Sequence, residues 1–119
     1  YKESTPATKA RISNRIERDP RIINALKKLY NNCQICGEEF FLKKDGKTRY
    51  SEVHHIKSLS EGGGLVTDNC IVVCANCHRK MHYARVSIKK EGDFFKIKIN
   101  DEPVKKVKIN KVDLLLDNL

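Results

Sequence analysis

Residues 74–82 read CANCHRKMH and place two cysteines and two histidines within nine positions. The stretch is either one compressed metal finger or the meeting point of two metal sites. A finger built from two cysteines and two histidines separates the pairs by about a dozen residues, enough chain to wrap the ion. Here Cys77 and His78 are adjacent. On a helix, neighbouring side chains point roughly 100° apart and do not converge easily on one tetrahedral ion. The stretch therefore divides between two sites.

Cys74 and Cys77 find partners upstream. Cys33 and Cys36 form a second C-x-x-C pair, and four thiolates make a closed, structural zinc site. Its ligands come from two distant knuckles, so the ion ties the two segments together. The fifth cysteine, Cys70, lies in the apolar run CIVV and reads as a small buried hydrophobe. His78 and His82 remain. At i and i+4 they share a helical face, a spacing that lets two imidazoles hold one ion. The other two histidines of the chain are the adjacent pair His54 and His55. If the strand CIVV brings that pair beside the helix, all four gather at one place. Adjacent strand residues face opposite ways, so this needs a twist or bulge at His54–His55.

The order E-V-H-H-I, a glycine-containing loop, D-N, a short apolar strand, C-x-x-C-H and a final histidine resembles the HNH endonucleases. The likeness is to the zinc-bound, four-cysteine variety found in restriction enzymes, including modification-dependent ones, and it covers about residues 33–85. The resemblance implies an α+β fold with a small zinc-stabilised ββα-metal core. It makes His55 the general base and His54, His78 and His82 ligands of a catalytic divalent metal. Asn69 would hold the loop and orient His55. Many relatives carry aspartate where this chain has His54. An all-histidine set favours Zn²⁺, Ni²⁺, Co²⁺ or Mn²⁺ over Mg²⁺, which prefers oxygen, so the ion's identity stays open.

The surroundings suit such a role. The chain has 119 residues, and 24 lysines and arginines against 15 acids leave a net charge of +9, which suggests a polyanionic partner, DNA above all. Arg79, Lys80 and Arg85 could clamp flanking phosphates, or be ordinary surface charge. The same two readings apply to Lys96, Lys98, Lys105, Lys106 and Lys108. No run is apolar enough to span a membrane, and the start has no signal-peptide core, so a cytoplasmic location and no membrane partner are expected. Tyr1 stands where a start would carry Met, so a larger protein with a separate target-recognition domain is expected.

Three parts are expected: a basic helical arm over 1–32, the zinc-bound core over 33–85, and a basic β-hairpin and tail over 86–119. RISNRIER is either a linker or a short helix. Asp19 and Pro20 cap a helix carrying Ile22, Ile23, Leu26, Leu29 and Tyr30, which Asn31 and Asn32 end. Asp45-Gly46 joins EEFFLKK to KTRYSEVHHI as a hairpin. SLSEGGGLVTDN is a glycine-rich loop, CIVV a strand and ANCHRKMHYAR a helix. The alternating lysines after residue 85 predict an antiparallel unit with a second turn at Asp101-Glu102-Pro103. KVDLLLDNL reads as a packing tail or as an apolar contact for a homodimer. The principal expectation is a metal-dependent DNA endonuclease module. Alternatives are a non-catalytic zinc module that binds nucleic acid and a nuclease toxin held by an acidic partner.

Overall fold

The computed structural model describes residues 19–57 and 68–110. RISNRIER, the glycine run of the loop and KVDLLLDNL lie outside the described residues. The fold is α+β: helix α1 (Pro20–Lys27), strands β1 (Glu52–His55) and β2 (Cys70–Val73), helix α2 (Ala75–Tyr83), then strands β3 (Val86–Glu91), β4 (Phe94–Ile99) and β5 (Lys105–Lys108). Among the described residues no helix is long and apolar enough to cross a membrane.

α1 starts as its sequence requires. The Asp19 carboxylate accepts from the Arg21 amide at 2.9 Å, and Pro20 occupies the first helical position. Ile22 and Leu26, four apart, are buried. The helix stops at Lys27 rather than at Asn31. The Leu29 amide there bonds to the Leu26 carbonyl, a tighter i to i−3 turn, and Leu29 is left 43% exposed.

β1 and β2 pair antiparallel, with His54 opposite Ile71 and His55 opposite Cys70. All four β2 residues, Cys70 included, are buried, as expected of a short central apolar strand. Its free edge is covered by Gln34. The Gln34 amide donates to the Val72 carbonyl, and the Val72 amide donates to Gln34 Oε1, both at 2.9 Å. The Gln34 side chain also donates to the Lys108 carbonyl at 3.0 Å and accepts from Asn110 at 3.1 Å. One glutamine thus joins the first cysteine knuckle, the central strand and the C-terminal sheet.

The Asp45-Gly46 turn forms, with Gly46 at φ 69 and the Lys43 amide bonded to the Thr48 carbonyl at 2.8 Å. KTRYSEVHHI does not continue it as one strand. The arm pairs through the Leu42–Arg49 bridge, and from Glu52 onward the chain pairs with β2 instead. The buried apolar strand is the better partner for EVHH, because the arm is exposed over Phe41–Thr48. After α2, the expected hairpin becomes a three-stranded antiparallel sheet, β3-β4-β5. Phe95, Ile97 and Ile99 are buried, and the alternating lysines of β4 face solvent.

Candidate metal centres

Cys33 and Cys36 sit on the knuckle that follows α1; Cys74 caps α2, and Cys77 lies in its first turn. Their four sulfurs lie within 4.8 Å of one another, and Cys36 Sγ to Cys74 Sγ is 3.9 Å. Zinc–sulfur bonds of about 2.3 Å in a tetrahedron set sulfurs roughly 3.8 Å apart. Backbone amides already aim at this centre. Cys36 N–H points at Cys33 Sγ from 3.5 Å and Cys77 N–H at Cys74 Sγ from 3.4 Å. Gly37, at φ 78, turns the first knuckle.

The thiols interfere with one another's ionisation. Burial opposes ionisation of Cys33, but the amides of Cys36, Cys74 and Ile35 outweigh it and pull its pKa down. Burial pushes the Cys77 thiol up, and so does the charge of Cys33 beside it. Four thiolates this close need a dication to be charged together. The donor set therefore fits zinc.

The histidines form a second centre. α2 packs across β1. The rings of His54, His78 and His82 stand 4.9–5.2 Å apart, centre to centre. One nitrogen of each lies within 4.8 Å of the others, and His78 Nε2 to His82 Nε2 is 3.2 Å. Metal–nitrogen bonds of about 2.05 Å in a tetrahedron place nitrogens roughly 3.3 Å apart. Buried His54 Nδ1 has no hydrogen-bond partner among the described residues. Burial first, then the neighbouring histidines, holds the His54 pKa down to about 4, so its ring stays neutral at ordinary pH. A neutral, buried imidazole is a ready ligand. These observations fit a divalent ion.

Glu52 holds His78, a contact that the sequence reading does not single out. Its Oε1 is 2.6 Å from His78 Nδ1. With hydrogen on Nδ1, the His78 lone pair is left on Nε2, facing His82. Glu52 Oε2 accepts from the Tyr50 hydroxyl at 2.5 Å. The Tyr50 hydroxyl, then the His78 ring, holds the Glu52 carboxyl below the usual range. Alternation was the available signal, since Glu52 and His54 are two apart on one strand and share the face under α2.

The remaining candidates are placed as follows. His55 is half-buried and is not among the three converging histidines. β1 stays in regular register through His55, so no bulge interrupts it there, and His54 and His55 keep opposite faces. Asn69 is buried and grips the backbone of Lys57, accepting from its amide at 2.8 Å and donating to its carbonyl at 3.1 Å. This clasp joins the two ends of the loop. Lys80 pairs with Glu102 at 3.3 Å and Arg85 with Asp101 at 3.7 Å, whereas Arg79 is exposed.

Comparisons with known proteins match the same segment of the chain. The family model described as HNH endonuclease matches residues 33–84, a span that runs from the first cysteine through α2. A relative in Escherichia coli (strain K12), the type IV methyl-directed restriction enzyme EcoKMcrA, is 48% identical over 54 residues. That match covers 44% of this chain and 19% of the relative, so the chain spans only part of that protein.

Proposed function

We propose that residues 33–84, which match the family model described as HNH endonuclease, form a metal-dependent nuclease module that hydrolyses DNA phosphodiester bonds as the cleavage part of a larger restriction enzyme. The convergence of His54, His78 and His82 beside a four-cysteine anchor carries this reading.

His54, His78 and His82 would hold a divalent ion, which would supply Lewis acidity to the scissile phosphate and its departing 3′ oxygen. The protein supplies the rest. His55, a half-buried imidazole on the face of β1 opposite His54, is the residue we assign to take the proton of the attacking water. A neutral imidazole can accept such a proton, and such a base contributes about 10²–10⁴-fold. Asn69 holds the residues after His55 in place through its clasp on Lys57. Glu52 fixes the tautomer of His78. The all-imidazole set favours Zn²⁺, Ni²⁺, Co²⁺ or Mn²⁺ over Mg²⁺. Cys33, Cys36, Cys74 and Cys77 hold a structural zinc.

The test is nicking of supercoiled plasmid across a panel of divalent ions. His55→Ala is expected to lose at least about 10²-fold in rate with its zinc content and thermal melt unchanged. Cleavage by that variant at the wild-type rate would count against the assignment. A purely structural zinc module would instead bind one ion per chain and cut with none of them.

A further inference from the structure

Some of the described cations have partners and others, Lys98, Lys105 and Lys108 among them, form no ion pair with a described residue. Lys80, Arg85 and Lys96 each pair with an acid, and Lys106 sits over the Phe94 ring at 4.2 Å. A cleft of about 490 Å³ between α1 and the arm that turns at Asp45-Gly46 is different. Its walls carry Lys27, Lys28, Lys43, Lys47 and Arg49 and no acidic side chain. Only Arg49 among these five forms an ion pair with another described residue, Glu39 at 3.2 Å. The nearby Asp45 carboxylate is spent on its own turn. It accepts from the amides of Thr48 and Lys47, which hold its pKa down to about 2.

One further feature fits a strand of nucleic acid. Ser51, on the inner wall of the cleft, leads directly into β1, three residues before His54. At about 3.3 Å per extended residue this is roughly 10 Å, or about three base-pair rises along the duplex axis.

We infer that this cleft seats the sugar–phosphate backbone of the DNA strand, a few nucleotides from the bond that the histidine centre cuts. The inference deepens the nuclease reading and rests on it for the identity of the polyanion. Contacts of this kind position the duplex without reading its sequence. Each phosphate neutralised steepens the fall of log affinity with log salt by about 0.9.

The experiment uses the zinc-loaded chain and a fluorescein-labelled mixed-sequence DNA duplex, with anisotropy read between about 50 and 200 mM salt and no second ion added. The triple variant Lys27→Gln, Lys43→Gln, Lys47→Gln is expected to reduce the salt slope by roughly 2–3. The triple variant Lys96→Gln, Lys98→Gln, Lys106→Gln on the C-terminal sheet is expected to leave it unchanged. In plasmid cleavage the cleft variant should raise KM and keep kcat. Zinc content and thermal melts confirm that both variants fold. An unchanged slope in the cleft variant, or an equal loss in the sheet variant, overturns the inference. Wild-type cutting with no slope change would overturn the cleft alone. Cleft-dependent binding with no cutting by any ion would overturn the nuclease reading and leave the cleft standing.

Discussion

At the scale of single residues, the histidine centre depends on a side chain that binds no ion. A histidine ring has two nitrogens, and which one offers its lone pair depends on what holds the other. For His78 the holder is Glu52, 2.6 Å from Nδ1, braced in turn by the Tyr50 hydroxyl. Glu52→Gln keeps the shape but removes the charge, and its amide can present a donor to Nδ1. We expect the affinity of the histidine centre for Co²⁺ to fall about 10–100-fold, as when such outer partners are lost elsewhere. The zinc of the cysteine centre should remain. Calorimetric titration with Co²⁺, together with the visible spectrum of the bound ion, reads this directly; an unchanged affinity would show that Glu52 does not set the tautomer. The four cysteines, His78 and His82 were legible from spacing, because ligand chemistry restricts residue type and separation, whereas the role of His54 came only with the family resemblance. Glu52 and Gln34 were not legible, because carboxylates and amides are common on surfaces, and only the register of β1 against β2 and α2 reveals what they face.

At the scale of elements, β2 is a fully buried strand with β1 on one edge and Gln34 on the other. Without Gln34 the Val72 amide would lie in the core with no acceptor. A buried donor left unmade costs about 1–3 kcal/mol. Gln34→Ala should therefore lower unfolding free energy by that amount in denaturant titration, and the C-terminal sheet should loosen through the lost bond to the Lys108 carbonyl. Co²⁺ binding at the histidines should persist, because no ligand moves. A stability loss below about 0.5 kcal/mol would mean that water replaces the glutamine without penalty. The sequence reading placed β2, α2 and the lysine-alternating strands, where hydrophobic period and turn residues agree. It extended α1 to Asn31 because Leu29 and Tyr30 keep the apolar period, whereas the chain tightens after Lys27 and leaves Leu29 exposed. It also ran the Asp45 arm straight into EVHH. Local hairpin chemistry governs only as far as Ser51, and beyond that the buried face of β2 is the stronger partner.

At the scale of the whole molecule, the two centres stand in an order of dependence. Cys74 caps α2 and Cys77 lies in its first turn, so the helix that presents His78 and His82 is anchored at the cysteine cluster. The cluster also joins segments about 40 residues apart, around a core too small to carry much stability without such a staple. Structural zinc contributes apparent folding free energies of about 10–16 kcal/mol in small zinc-finger peptides, so losing one ligand of four should cost several kcal/mol here. The dependence should run one way. His82→Ala should lose the second ion and keep the zinc, the helical signal and a melting temperature within a few degrees of wild type. Cys36→Ala, which alters an exposed ligand with little effect on the core, should lose both ions and at least about 10 °C in melting temperature. Metal content by mass spectrometry under native conditions, with circular dichroism on the same samples, separates the two variants. If Cys36→Ala still holds an ion at its histidines with wild-type affinity and an unchanged helix, the histidine centre is organised without the cysteine cluster. The four thiolates would then be a staple for the first knuckle alone, and α2 would owe its position to its packing on β1.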